Sequence, residues 1–189
     1  MMRVVSAVLA LAAVLVGCSA GGVAPNGADA TPASAPSAPA GPIPPVSNPK
    51  NLAAIPPCLL FTPTQLEANR IDQHGRPKDV LGSAGCEWGD RARTRQIRIF
   101  VDLGSDVLRN VYAKRETFPL MEVTQVAGYP AIRTMDDVNG ATCYFRVATA
   151  ERQTLVLGFT SLKEGSEDPC APAKALAETV IGNLPPLKA

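Results

Sequence analysis

Alternating hydrophobic and polar positions in the second half of the chain predict a set of β-strands. The clearest case is residues 94–103, where every second position from residue 97 holds a large aliphatic side chain, as in a strand that buries one face. The same alternation at residues 141–149 and 154–161 predicts a hairpin. Shorter strands are expected at three further places, residues 86–88, 120–126 and 131–135.

Three segments carry the signals of amphipathic helices, namely residues 62–70, 105–115 and 168–184. The first begins with Thr62 and Gln65, whose spacing is that of a capping box. The last has apolar residues at i, i+3, i+4 and i+7 and ends before Pro185. The polar stretch 71–85 is interpreted as a loop. The element order predicts an α+β domain, with a mainly antiparallel sheet of about five strands and two to three helices packed on it.

The N-terminus has the pattern of an export signal. Arg3 precedes an apolar run at residues 4–16, which is too short to span the ~30 Å of a bilayer as a helix and is typical of a signal-peptide core. The run ends in a Leu-Val-Gly-Cys sequence at Cys18, which resembles the bacterial lipobox. We expect residues 1–17 to be removed and Cys18 to carry acyl chains such as palmitate. An ordinary signal peptide cut at a later site such as Ala20 is the alternative.

A linker follows the predicted anchor. Residues 18–51 are rich in Ala, Pro and Gly, and they contain only two charged residues, Asp29 and Lys50. Such a segment cannot bury enough apolar surface to fold, so we interpret it as a disordered tether. Residues 52–189 are then a single globular domain. The resulting expectation is a protein lipid-anchored to the extracytoplasmic side of the cell membrane.

The net charge of the chain limits the classes of binding partner that we expect. The chain has 18 basic and 17 acidic residues, for a formal net charge of +1. A balance of this kind argues against a nucleic-acid partner, because phosphate backbones select strongly basic surfaces. The acyl chains would therefore have to hold the protein at the membrane without help from its net charge.

Four cysteines lie in the predicted domain, at Cys58, Cys86, Cys143 and Cys170. An even number in an oxidising compartment indicates two disulfides. Strand parity places Cys143 on the apolar face of its strand, which favours pairing with Cys170 at the start of the last helix and leaves Cys58 for Cys86. The pairing of Cys58 with Cys170 and of Cys86 with Cys143 stays open. We expect no zinc site, because the chain has one histidine and no C-x-x-C pair.

The sequence offers no catalytic constellation, so we expect a non-enzyme without metal or cofactor. His74 is the only histidine and lies in a polar segment with nearby Gly and Pro, and the chain has no G-x-S-x-G sequence. A hydrolase is the enzymatic alternative. Asp136 and Asp137 precede an Asn-Gly pair, a context that favours a turn over a catalytic carboxylate pair.

Two groups of residues are candidates for binding. The first is an arginine cluster near the start of the second predicted strand, which suits an anionic group or protects a sheet edge from aggregation. The second consists of apolar residues with the opposite parity to the core, which form an exposed patch or, if the first helix covers them, a second core. The first group is Arg91, Arg93, Arg95 and Arg98, and the second is Phe100, Tyr144 and Val156.

Several short motifs, in their order along the chain, resemble one known family. The resemblance covers about residues 57–184, and the family is the actinobacterial lipoproteins that share domain of unknown function 3558. It implies an envelope lipoprotein and supplies no catalytic residues. The motifs are Cys58-Leu59-Leu60, Gly85-Cys86-Glu87-Trp88, Ala127-Gly128-Tyr129-Pro130-Ala131, Cys143, Asp168-Pro169-Cys170, Leu176-Ala177 and Leu184-Pro185.

These observations lead to two hypotheses of function. The first is a non-catalytic binding or scaffolding module of the cell envelope, which contacts an envelope protein through the outer sheet face or the arginine cluster. The second is a small carrier of a lipid or other apolar ligand, held between sheet and helix. In both, the membrane is a partner through the anchor at Cys18.

Overall fold

A computed structural model describes residues 43–137, 140–162 and 168–188 of the chain. The predicted signal peptide, Cys18 and most of the predicted tether lie outside these residues, as does Asn139 of the predicted Asn-Gly turn. In the described part, none of the helices has the length and hydropathy to cross a membrane.

The domain is built on one antiparallel sheet of seven strands, in the order β1-β2-β3-β7-β6-β5-β4. In the described residues, three helices accompany it, α1 (Pro63–Ala68), α2 (Val107–Ala113) and α3 (Cys170–Asn183). The strands are β1 (Arg76–Val80), β2 (Ser83–Gly89), β3 (Arg95–Asp102), β4 (Leu120–Val126), β5 (Tyr129–Met135), β6 (Thr142–Ala150) and β7 (Gln153–Ser161). The α+β class, the antiparallel sheet and the two disulfides are as expected, whereas the number of strands is seven and not about five.

The strand that the sequence missed entirely is β1, which lies in the stretch interpreted as a loop. All five of its residues are exposed, and it forms one edge of the sheet beside β2. A strand that buries neither face has no reason to alternate hydrophobic and polar residues, so the period-two pattern was absent. Pro77 fits this position, because a strand edge tolerates a residue without an N–H group.

A strained turn joins β1 to β2. Leu81 has a φ of 53° and Gly82 a φ of 81°, and the Asp79 carboxylate accepts a hydrogen bond from the Gly82 N–H group at 3.0 Å. The Leu81 side chain is fully exposed. A branched side chain disfavours the left-handed conformation, so this residue adds strain and no burial.

Replacing Leu81 with Asn should therefore stabilise the domain. We expect Leu81→Asn to raise the free energy of unfolding by about 1 kcal/mol, because Asn enters the left-handed region more readily. Leu81→Ala keeps the strained conformation and should stay within about 0.5 kcal/mol of the original protein. Urea unfolding of the two variants measures the difference, and a loss of stability in Leu81→Asn would show that the turn is not strained.

The main core lies between one face of the sheet and helices α1 and α3. Trp88, Leu157 and Val180 are among its most buried side chains, with exposed fractions of 0–1%. The helix α1 begins with the predicted capping box, in which Thr62 and Gln65 satisfy each other's backbone N–H groups. The face that α3 buries consists of Cys170, Ala173, Leu176, Ala177, Val180 and Ile181.

Two disulfides fasten the core. One joins Cys58 to Cys86 and the other joins Cys143 to Cys170, which is the pairing that strand parity favours. The first connects the short 3-10 turn Pro57–Leu59 to β2. The second connects β6 to the first residue of α3, so the longest helix is tied covalently to the middle of the sheet.

The folded part begins before Leu52. The Lys50 N–H group donates to the Thr149 carbonyl at 2.8 Å, and the Tyr129 hydroxyl donates to the Asn48 carbonyl at 2.7 Å. Lys50 also forms an isolated β-bridge with Pro186 near the C-terminus. Residues 48–51, which composition places in the tether, are therefore part of the domain.

Candidate functional site

The sheet face opposite to α1 and α3 carries the candidate binding residues, and we call it the outer face. Strand register defines two rows of residues that cross the outer face side by side. One row is Arg76, Glu87, Arg98, Gly158, Tyr144 and Thr134. The other row is Lys78, Gly85, Phe100, Val156, Arg146 and Ile132.

Phe100, Tyr144 and Val156 lie together on the outer face and are half-buried. The helix that packs on this side is α2, against β5 and β6, whereas α1 belongs to the main core. Ile132 is fully buried on the outer face, so α2 covers a small second core at one end. Of the two alternatives for this patch, coverage by the first helix is not observed, and Phe100 on β3 and Val156 on β7 are only half covered.

Two glycines let aromatic rings pack closely against the sheet at this point. A Cβ atom at Gly158 would lie 2.6 Å from the Tyr144 ring, and one at Gly85 would overlap the Phe100 ring and the Ile99 carbonyl. Each aromatic ring therefore lies across a neighbouring strand at a position without a side chain. Together with Val156, the register partner of Phe100, these two rings form an apolar floor on the outer face.

A buried carboxylate bounds this floor on the side of β1 and β2. Glu87 Oε1 lies 2.9 Å from Arg76 Nη2 and 3.6 Å from Lys78 Nζ, and Glu87 Oε2 lies 3.1 Å from Arg98 Nε. The Glu87 side chain is 8% exposed, while those of the three cations are 41–71% exposed. One carboxylate with three cationic neighbours leaves an excess of positive charge at this end of the outer face.

The three cations decide the ionisation of Glu87. Burial by itself would raise the pKa of its carboxyl group. The hydrogen bond from Arg98 and the charges of Lys78, Arg98 and Arg76 together outweigh burial, so the pKa lies below its ordinary value of 4.5. Glu87 is therefore an anion at neutral pH.

In the structure, the four arginines of the predicted cluster lie in different places. Arg98 lies on the outer face and binds Glu87. Arg95 begins β3 with the opposite parity, and Arg91 and Arg93 lie in the connection between β2 and β3. Asp90 shapes that connection, because its carboxylate accepts hydrogen bonds from the Thr94 and Arg95 N–H groups.

Arg91, Arg93 and Arg95 instead line two adjoining grooves of about 690 and 870 Å³ at the β2–β3 connection. Both grooves also contain Asp72 and His74, and Arg91 lies 3.6 Å from the Asp72 carboxylate in an exposed pair. Both cationic and acidic side chains line these grooves. Among the residues that the structure describes, no group of three His, Cys, Asp or Glu side chains is arranged to hold a metal ion.

Sequence reasoning did not single out Arg146, which stands beside the apolar floor. Its Nη1 donates to Thr134 Oγ1 at 2.6 Å, and its guanidinium carbon lies 5.8 Å from the centre of the Phe118 ring and 5.6 Å from that of Tyr144. These are cation–π distances. The parity that places Tyr144 on the outer face also applies to Arg146 two residues later, so this signal was present in the sequence.

Comparison with curated proteins and with solved structures gives no significant match. One family matches, and its description is "Protein of unknown function (DUF3558)". The match extends from residue 13 to residue 183 and so includes every strand and helix described above. The chain belongs to this family of proteins of unknown function.

Proposed function

We propose that this protein is a non-catalytic binding module of an actinobacterial cell envelope, anchored to the outer face of the cytoplasmic membrane through acylated Cys18. The observation that carries the binding role is the half-covered apolar floor of the outer face. Tyr144, Val156 and Phe100 adjoin one another there, and none of them belongs to the main core. Contiguous apolar surface bordered by charged groups is typical of a binding site.

The alternative is a carrier that holds an apolar ligand between sheet and helix. Side chains of β7 and α3 occupy that space, and Leu155, Leu157 and Val180 are 0% exposed. A filled interior supports binding at the surface in preference to a carrier of this kind. The anchor rests on the lipobox-like sequence that ends at Cys18.

Photo-crosslinking of the full chain in cells tests the proposal. A crosslinking amino acid replaces Val156 on the outer face or, as the control, Lys174, which is exposed on α3. We expect a discrete adduct in the membrane fraction for the Val156 position and none for the Lys174 position. Adducts at both positions, or at neither, would contradict a binding role for the outer face.

The same membrane fraction also tests the predicted lipid anchor at Cys18. Mass spectrometry should find a chain that begins at Cys18 and carries added acyl mass, because two or more acyl chains hold a protein stably at a bilayer. The Cys18→Ala variant should lack this mass. A chain that begins elsewhere and carries no acyl group would show that the protein is not a lipoprotein.

A further inference from the structure

Arg146 is a half-buried cation. Among the described residues, no Asp or Glu lies within ion-pair distance of its guanidinium, whereas Arg98 on the same face binds Glu87 at 3.1 Å. Burial lowers the pKa of Arg146, and Tyr144 and Asp136 act in the opposite direction. Arginine still keeps its charge at neutral pH, so a positive charge is held here, and no carboxylate in the described part of the chain pairs with it directly.

The guanidinium is nevertheless accessible from solvent. In the described part of the chain, the buried side-chain nitrogen and oxygen atoms without a hydrogen-bond partner are Trp88 Nε1 and Arg133 Nε. Arg146 uses one donor, Nη1, to bind Thr134. Its other donor nitrogens are not among these buried atoms, so they keep some contact with solvent, and an anion can approach them from there.

The surface beside Arg146 is apolar. Val156 is its direct neighbour on β7, and Phe100 is the neighbour of Val156 on β3. Two strand spacings of ~4.8 Å separate β6 from β3, so this floor extends for about 10 Å from the guanidinium. Arg98 lies beside Phe100 on β3 and Lys78 lies further across the sheet on β1, and together these two cations outnumber the charge of Glu87.

We infer that Arg146 binds the anionic group of an amphiphilic ligand, a carboxylate or phosphate that carries an apolar chain. The planar guanidinium pairs with two oxygen atoms of such a group, and the rings of Phe118 and Tyr144 hold it in place. The apolar chain lies on Val156 and Phe100. This inference rests on the proposed binding role of the outer face and names the ligand class.

Decanoate, a carboxylate with a medium-length apolar chain, is the probe. The protein is the oxidised chain from Ser19 onward, which includes every residue that the structure describes. In an NMR titration below micelle formation, decanoate should shift the amide signals of Tyr144, Val156 and Gly158. Acetate lacks the apolar chain and decyltrimethylammonium lacks the negative charge, so each should bind at least about ten-fold more weakly.

Substitutions test whether Arg146 is responsible for the binding of decanoate. Arg146→Met keeps apolar volume next to the two rings and should weaken decanoate binding about ten-fold or more, because it removes a charged hydrogen bond. Arg146→Lys should lose less. Arg109→Met is the matched control, since Arg109 is an exposed arginine on α2 whose partner is Asp106, and its affinity should stay within about two-fold.

A second binding experiment uses vesicles of phosphatidylcholine and phosphatidylglycerol. Arg146-dependent binding to the vesicles but not to decanoate would assign the anion to a lipid headgroup within a bilayer. Unchanged decanoate affinity in Arg146→Met, or binding of decyltrimethylammonium equal to that of decanoate, would overturn the inference. Crosslinks at Val156 that persist in Arg146→Met would then show that the binding role of the outer face stands without this ligand class.

Discussion

Replacing both Cys143 and Cys170 with Ala should lower the free energy of unfolding by about 3 kcal/mol, because the bridge closes a loop with a sequence separation of 27 residues. Cross-linking at this separation restricts the unfolded chain, and its removal restores that entropy. The loss also reaches the core, since the bridge holds the first residue of α3 against β6. Thermal unfolding without reducing agent should show a midpoint lower by roughly 10 °C.

Two comparisons isolate the bridge. The original protein under reducing conditions should be less stable than the oxidised double variant, because reduction opens both bridges whereas the double variant keeps Cys58–Cys86. The Cys58→Ala and Cys86→Ala double variant should lose a similar amount, since its loop has a sequence separation of 28 residues. An unfolding midpoint that does not change when Cys143 and Cys170 are replaced would refute a stabilising bridge at this position.

Replacing Glu87 with Gln should lower the free energy of unfolding at pH 7 by about 1–3 kcal/mol, because it leaves three cations next to a buried neutral side chain. Arg76, Lys78 and Arg98 are each more than one-third exposed, so water recovers part of the lost interaction. The effect is therefore smaller than for a fully buried ion pair. Urea unfolding at pH 7 measures it.

The pH dependence identifies the ionised carboxylate as the cause. The pKa of Glu87 is lower in the folded protein than its ordinary value of 4.5, so the stabilisation is complete above that value. It is lost as the pH falls below 4.5 and through the lowered pKa, where protonation removes the negative charge. The stability difference between the original protein and Glu87→Gln should therefore shrink in acid.

A matched substitution separates this effect from a general loss of charge. Glu116 is 85% exposed and pairs with Arg115 at 3.2 Å, so Glu116→Gln should change stability by less than about 0.5 kcal/mol. Asp90 and Asp102 also have lowered pKa values, and both variants retain them. A stability difference for Glu87→Gln that is independent of pH would contradict the ion-pair explanation.

Local patterns were sufficient wherever a strand or helix buries one face. The alternation of β3, β6 and β7 and the capping box of Thr62 and Gln65 could be recognised from the sequence, because burial and capping impose residue types at regular spacings. The missed strand β1 has no buried face, and its pairing with β2 is made by backbone groups that every sequence provides. Such a strand can be recognised only from its pairing with a neighbouring strand in the folded sheet.

For the candidate site as well, some features could be predicted from the sequence and others could not. Parity alone indicated that Phe100, Tyr144 and Val156 share the face opposite to the core. It did not indicate which helix covers that face, because α2 reaches β5 and β6 through packing between segments distant in sequence. The four arginines at residues 91–98 looked like one cluster, but the strand begins within them, so Arg95 and Arg98 point to opposite sides of the sheet.

The sequence by itself determined the α+β class, the antiparallel pairing of the main strands and the face on which each alternating residue lies, because these depend on local periodicity. The tertiary structure alone decided that Arg76, Lys78 and Arg98 surround Glu87, and that Arg146 lies within cation–π distance of the Phe118 and Tyr144 rings. These clusters join residues from different strands and turns. Their energy depends on burial and on distances between side chains, which only the folded sheet fixes.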